Sequence, residues 1–268
     1  MNISFKGKTV GITGSAGGIG GSLADAYASE GANLIICDIS AERLEKKKKA
    51  LEEKGAEVLA QVCDVSNPES VKSLIYAAVA RFGGIDVWIN NAGIGPMKDF
   101  VDVPLETWHK IFAVNLDSVF ITCQVLFPYM KDRGGVILNT ASWTALMPRA
   151  GLAAYGSSKA AISNLTQTLA AEFAPYNIRV NAYAPGFITT ELTDGYLSDP
   201  ASRGFWECMA VQRPGKPADL VGPVLFITSE MSAFITGITL DVSGGKFIVQ
   251  NASYPWQKRE ELEEEKES

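Results

Sequence analysis

The sequence predicts a single α/β domain: a doubly wound parallel sheet of about seven strands with helices on both faces. Short apolar runs rich in Val, Ile and Leu alternate with longer amphipathic segments along nearly the whole chain. A glycine-rich turn joins the first apolar run to the first amphipathic one. No linker, repeat or shift in composition divides the 268 residues, which suffice for one large core.

Strands are predicted at Thr9–Thr13, Asn33–Asp38, Val58–Cys63, Val87–Asn90, Gly135–Thr140, Ile178–Tyr183 and Ile238–Val242. Each is too short for a helix and nearly continuously apolar, as expected where both faces of a sheet are covered. Helices are predicted at Gly18–Ser29, Ala41–Lys54, Pro68–Phe82, Leu105–Lys131, Ala154–Ala174 and Pro217–Ser229. In Ala154–Ala174, Ile162, Leu165, Leu169 and Phe173 recur at three- and four-residue spacing and form one apolar stripe. Ser66-Asn67-Pro68-Glu69 is a helix start signal, with Pro in the first turn. Residues 1–247 are thus read as one domain, with residues 190–216 a polar and aromatic excursion from it. Residues 248–268 form an acidic tail, helical or frayed.

The formal net charge is −6, and Lys258–Ser268 carries six Glu against two Lys and one Arg, about half of that excess. No basic stripe suited to a phosphate backbone is present, so nucleic acid is not an expected partner. The run Lys46–Lys49 is flanked by Glu42, Glu45, Glu52 and Glu53 and reads as a solvated helix face. The single histidine, His109, stands among Glu106, Thr107 and Lys110, which points to an exposed helix and away from a metal site. Cys37, Cys63, Cys123 and Cys208 show no ligand spacing and are expected as free thiols. No secretory leader pattern and no apolar stretch able to span a bilayer are read in the sequence, so a cytoplasmic protein without a membrane partner is expected.

The first strand runs into Thr13-Gly14-Ser15-Ala16-Gly17-Gly18-Ile19-Gly20 and then into a helix. Glycines let backbone approach a pyrophosphate, held by the N–H groups and dipole of the helix start. A P-loop is excluded, because no Gly-Lys-Ser/Thr closes the run. Ala16 likewise breaks Gly-x-Gly-x-x-Gly. Gly14, Gly18 and Gly20 fit Thr-Gly-x-x-x-Gly-x-Gly, and Gly17 also permits a Gly14-x-x-Gly17-x-x-Gly20 reading, so two related patterns stay open. Asp38 ends the second strand, where a carboxylate can accept both hydroxyls of the adenosine ribose and repel a 2′-phosphate. No Arg or Lys stands at Ser15–Gly18 or directly after Asp38, and NAD is the expected cofactor.

Tyr155 and Lys159 lie four residues apart on one predicted helix face, with Ser142 thirteen residues upstream of Tyr155. A free tyrosine titrates near ~10, and lowering it by ~2–3 units requires ~3–4 kcal/mol. An adjacent ammonium in a partly desolvated cleft supplies about that much at an effective dielectric of ~20. Tyr155 can then exchange a proton with a substrate oxygen while hydride moves to or from a nicotinamide. Ser142 can hydrogen-bond the same oxygen.

With Thr13-Gly14…Gly18-x-Gly20, Asp64, Asn90-Asn91-Ala92-Gly93, Asn115, Ser142, Tyr155-x-x-x-Lys159 and Pro185-Gly186 in order, residues 5–247 resemble the short-chain dehydrogenases/reductases of the compact type. The resemblance implies a Rossmann-type fold and a catalytic set of Ser142, Tyr155, Lys159 and Asn115. Lys159 would also bind the nicotinamide ribose, and Asn115 would hold a water leading from Lys159 to solvent. It implies cofactor contacts at Gly14, Gly18, Ile19 and Gly20, at Asp64 and the Val65 backbone for adenine, and at Asn91 for the adenosine ribose. Pro185, Gly186, Ile188 and Thr190 would grip the nicotinamide end. Ser243-Gly244-Gly245 departs from the Asp-Gly-Gly common in the family.

The substrate wall is expected from Ile94, Gly95, Trp143, Thr144 and Met147, with Arg149, Phe187 and the excursion residues Tyr196, Phe205 and Trp206. The expected reaction interconverts a secondary alcohol and a ketone, or a hemiacetal and a lactone, on a sugar, polyol or related hydroxy compound. A hydroxysteroid dehydrogenase and a 3-oxoacyl thioester reductase are the alternatives within this chemistry. A non-catalytic NAD-binding scaffold or sensor is the alternative outside it. The resemblance also implies pairing through the two long helices into a homodimer or homotetramer.

Overall fold

The computed structural model describes residues 3–193, 208–246 and 251–267. Seven parallel strands form one sheet: β1 (Thr9–Thr13), β2 (Asn33–Asp38), β3 (Val58–Val62), β4 (Val87–Asn90), β5 (Gly135–Thr140), β6 (Ile178–Pro185) and β7 (Thr239–Val242). Their spatial order is β3-β2-β1-β4-β5-β6-β7. The winding direction reverses between β1 and β4, where Val10 pairs with Val87 on one side and with Leu34 on the other. That reversal opens a crevice at the carboxyl ends of the strands. Central strands β1 and β4 are buried throughout, whereas the edge strands β3 and β7 are not.

Two cores flank the sheet. Leu34 and Ile36 of β2 face one side, with Leu23 and Tyr27; Ile35 and Cys37 face the other, with Leu74 and Ile75. Successive strand residues must point to opposite faces, so one apolar run supplies both layers. The first layer holds helices α1 (Gly18–Ser29) and α8 (Pro217–Thr228), joined by a 2.6 Å hydrogen bond between the Tyr27 and Thr228 hydroxyls. The second holds α3 (Pro68–Phe82), α5 (Ser118–Met130) and α7 (Ala153–Phe173). Helix α2 (Ala41–Glu52) buries only Leu44 and Leu51, and ion pairs Lys48–Glu52 and Lys49–Glu45 lie on its solvated side. His109 is exposed on α4 (Leu105–Phe112). None of the four cysteines is in a disulfide.

Strand and helix ends match the expected ones to within a residue or two, and three differences carry physical content. Asn67, not Ser66, caps α3, its Oδ1 accepting from the Glu69 and Ser70 N–H groups. The expected helix Leu105–Lys131 is α4, a π-helical turn at Ala113–Asp117 and then α5, because the buried Asn115 side chain is engaged outside the helix. A short helix α6 (Trp143–Leu146), not anticipated, begins at Ser142, whose Oγ accepts from Thr144 N–H at 3.2 Å. Contrary to expectation, Leu105–Met130 is long and apolar enough by length and composition to cross a membrane, with a mean hydropathy of 1.6. In the fold its α5 segment packs against α3 and β4 in the second core. The tail contains helix α9 (Tyr254–Glu267), and the Trp256 indole donates to the Ala210 carbonyl at 2.9 Å.

Candidate active site

The crevice is built from the ends of β1, β4, β5 and β6. Gly14 and Gly18 take positive φ angles of 62° and 53°, open to glycine at little cost, and a Cβ on Gly20 would lie 2.3 Å from the Gly14 carbonyl oxygen. Gly20 itself lies beneath the turn; Gly14, Gly17, Gly18 and Ile19 form its surface. Gly17 precedes α1 with no side chain capping the helix and no acid in the first turn. The first N–H groups of a helix have no intrahelical partner, so this start presents donors and a positive dipole end to the cleft. That geometry fits a pyrophosphate.

The β4 loop is fastened onto this turn. Thr13 Oγ1 accepts from the N–H groups of Asn91 and Ala92, each at 3.0 Å. Asn91 Nδ2 donates to the carbonyls of Thr13 (2.9 Å) and Gly14 (3.1 Å), so the side chain expected at the ribose holds the glycine turn and borders the cleft. Deeper in, a polar chain runs from the Trp88 indole to Asn90 (3.0 Å), on to Asn139 (2.9 Å) and then to Thr166 (2.9 Å). It ties β4, β5 and α7 together at the level of the crevice. Each of these four buried side chains thereby has a partner.

One half of the crevice is lined by Asp38, Asp64 and Val65, as expected for the adenosine end. Asp38 Oδ2 accepts from Ala16 N–H (3.3 Å) and Oδ1 from Ser40 N–H (3.0 Å), while Ser40, not Asp38, caps α2. Although no Arg or Lys stands at Ser15–Gly18 or directly after Asp38, a cation from farther along the chain does reach it. Arg43, five residues on, is 3.7 Å from Asp38 and pairs with Glu191 as well. Its position in the first turn of α2 brings its side chain to the carboxylate. A Ser N-cap two residues past Asp38 was the signal that could have placed it.

The other half is lined by Ser142, Trp143, Tyr155, Lys159, Pro185 and Gly186, together with Gly95, Thr144, Arg149, Phe187, Ile188 and Thr190. The two halves share Ile19, Asn91, Gly93, Thr190 and Leu192 and form one continuous trench. Tyr155 and Lys159 occupy successive turns of α7, and Ser142 Oγ hydrogen-bonds Tyr155 from the end of β5. Gly95 packs on the Tyr155 ring so closely that a Cβ there would be 2.6 Å from Cδ2. Ile94 borders the adenosine half, and Met147 is exposed outside the trench. Met97, Leu152, Leu192 and Thr193 line the trench without having been singled out, since nothing in their spacing marks them. Tyr196, Phe205 and Trp206 lie outside the described residues.

Two electrostatic expectations change. Burial raises the Tyr155 phenol above its ordinary value, with the Ser142 hydrogen bond opposing that rise. Burial also lowers Lys159 to about 7. Lys159 Nζ donates to the Thr140 carbonyl at 2.7 Å and lies 5.8 Å from the centre of the Tyr155 ring. In the protein alone the lysine therefore does not acidify the phenol, because desolvation of both groups outweighs their mutual attraction. The Asn115 amide is also fully engaged. Its Oδ1 accepts from Ile94 N–H (2.9 Å), and its Nδ2 donates to the Ile94 carbonyl (2.9 Å) and to Ser158 Oγ (3.1 Å). The side chain locks the loop carrying Ile94 and Gly95 onto α7.

A seven-stranded parallel sheet with this trench across its topological switch point is Rossmann architecture, whose crevice suits a dinucleotide. Residues 14–246 match the family model described as enoyl-(acyl carrier protein) reductase. The chain is 37% identical to 3beta-hydroxysteroid dehydrogenase 1 of Eggerthella lenta, over 91% of this chain and 95% of that one. It is 35% identical to 5-keto-D-gluconate 5-reductase of Escherichia coli, over 91% and 97%. The crystal structure of a gluconate 5-dehydrogenase from Burkholderia cenocepacia, in complex with NADP and tartrate, superposes with a TM-score of 0.88 at 33% identity, covering 92% of this chain and 98% of that one. The chain belongs to the short-chain dehydrogenase/reductase family. It acts on CH–OH groups with a nicotinamide cofactor, NAD or NADP.

Proposed function

We propose that the protein is an NAD-dependent dehydrogenase that interconverts a secondary alcohol and a ketone, or a hemiacetal and a lactone. The observation that carries this reading is the convergence of Ser142, Tyr155 and Lys159 on one end of a trench whose other end holds the Asp38 carboxylate. The nicotinamide supplies the hydride acceptor or donor. Ser142 and Tyr155 would hold the substrate oxygen; in reduction the protonated Tyr155 Oη gives that oxygen a proton, and oxidation is the reverse transfer, to the Tyr155 phenolate. Lys159 binds the nicotinamide ribose and compensates charge on Tyr155. Asn115 acts through position, fixing the Gly95 loop against the phenol. Gly14, Gly18 and Ile19 hold the pyrophosphate, Asp64 and Val65 border the adenine, and Pro185, Gly186, Ile188 and Thr190 border the nicotinamide.

NAD is favoured over NADP because Asp38 stands at the adenosine ribose, and the charge of Arg43 is shared between Asp38 and Glu191. A sugar, polyol or related hydroxy compound is the favoured substrate, a reading supported by the likeness to a 5-keto-D-gluconate 5-reductase and a gluconate 5-dehydrogenase. A hydroxysteroid is the second reading, supported by the Trp143, Phe187 and Leu152 walls and by the likeness to a 3beta-hydroxysteroid dehydrogenase. The assembly is a homodimer or homotetramer, for which the groove between α5 and α7, lined by Phe120, Phe127, Leu165 and Leu169, offers apolar surface. Free cysteines fit a cytoplasmic setting.

The test is NADH production followed at 340 nm across sugars, polyols, sterols and hydroxy acids, with wild type and Tyr155→Phe. Turnover should fall at least ~1000-fold in the variant, the upper range for a lost proton-transfer group being ~10⁴, with NAD affinity kept. Undiminished turnover in Tyr155→Phe would refute the assignment.

A further inference from the structure

Resting on the NAD-dependent reading above, we infer that Glu191 is a specificity-determining residue for the nucleotide, acting by keeping Arg43 from a 2′-phosphate. Three charged side chains meet at the adenosine half of the trench, and all three line it. Arg43 Nη2 lies 3.7 Å from Asp38 Oδ1, and Arg43 Nη1 pairs with Glu191 Oε2. The groups come from separate parts of the fold: the end of β2, the first turn of α2 and the loop after β6.

Asp38 by itself leaves the discrimination incomplete. Its carboxylate is held by backbone, accepting from the N–H groups of Ala16 and Ser40, so Arg43 is not needed to fix it. A guanidinium this close to the carboxylate assigned to the ribose is within reach of a phosphate on that ribose. Guanidinium takes phosphate through two parallel hydrogen bonds. An unopposed Arg43 would thus admit the phosphate that Asp38 repels. Glu191 opposes it: with Glu191 present, two negative charges face one positive charge, and Nη1 is occupied. Lys110 on α4, the other cation lining this half, pairs with neither carboxylate among the described residues.

The loop that carries Glu191 is tied down on both sides of it. Thr189 N–H donates to the Gly215 carbonyl at 2.8 Å. Thr193 Oγ1 accepts from Thr190 N–H at 2.8 Å and donates to the Ile188 carbonyl at 2.7 Å. A Cβ on Gly17 would lie 3.6 Å from Glu191 Oε1, so the loop sets this carboxylate beside the start of α1. From there it meets Arg43 across the trench.

The test measures binding alone, so it depends on neither turnover nor the choice of substrate. Oxidised NAD and NADP are titrated by calorimetry into wild type, Glu191→Gln, Arg43→Gln and the double variant. Low ionic strength is used, where exposed charges are least screened. Wild type should bind NAD more tightly than NADP. Glu191→Gln should narrow that gap by at least ~3-fold, the scale of one exposed ion pair, with the melting temperature unchanged. In the Arg43→Gln background the same substitution should narrow it by less than about half as much, the signature of a residue acting through its neighbour. A smaller narrowing in the wild-type background overturns the inference. So does a narrowing that keeps more than about half its size without Arg43, or a wild type that binds NADP at least as tightly as NAD. A protein that binds neither nucleotide would instead remove the dehydrogenase reading on which this rests.

Discussion

Lys159 is buried with one resolved partner, the Thr140 carbonyl, and its removal makes a quantitative prediction. Burial lowers its folded pKa from 10.5 to about 7. A displacement of that size is worth up to about 4–5 kcal/mol. The hydrogen bond to Thr140 favours the ammonium and opposes the displacement, so this figure is a ceiling. The sign follows from proton counting. Between pH 7 and 10.5 the unfolded chain keeps the proton on this lysine while the folded protein has released it, so stability rises with pH through that window. Below about pH 7 the cost is present in full. Lys159→Met removes the buried charge but leaves the Thr140 carbonyl without its donor, at a cost of about 1–3 kcal/mol. The variant should therefore be more stable than wild type by about 2 kcal/mol near pH 6.5. That advantage should shrink, and then reverse, as pH approaches 10. Urea unfolding of both proteins at half-unit pH steps, without nucleotide, measures the difference and cancels other titrating groups. A stability difference independent of pH would refute the buried-cation argument, and turnover should be lost in the variant whatever its stability.

Gly95→Ala places a methyl 2.6 Å from the Tyr155 ring and should lower kcat at least ~10-fold, since small displacements of reacting groups are costly, while a thermal melt shows the fold intact. Unchanged kcat would mean that the Tyr155 ring is free to move aside. Asp38→Asn should raise the ratio of kcat/KM for NADP over NAD by ~10–100-fold. The full repulsion of two charges ~4 Å apart is about 4 kcal/mol at a dielectric of ~20, and Arg43, 3.7 Å away, already offsets part of it. A ratio unmoved by the substitution would place the nucleotide ribose away from Asp38.

Local pattern carried most of the architecture. Continuous apolar runs such as Asn33–Asp38 and the three- and four-residue stripe of α7 report burial directly, and burial is what selects strand or helix here. The glycine turn and the Tyr155–Lys159 spacing were equally legible, because the backbone angles of one and the single helix face of the other are properties of a few consecutive residues. The break at Ala113–Asp117 was not, since it arises where Asn115 reaches backbone from another loop, and no local propensity encodes that partner. Arg43 was missed for a related reason: its distance from Asp38 depends on how α2 leaves the strand.

By itself the sequence determined the doubly wound sheet, the glycine-rich nucleotide turn and the identity of the groups around Tyr155, because each is written in residues adjacent in the chain or one turn apart. The tertiary structure alone decided that those groups meet in one trench, that Asn115 serves as a brace, and that burial raises the Tyr155 phenol where a lowering was expected. Desolvation depends on every atom packed around a charge, and those atoms come from strands and helices that are distant in sequence.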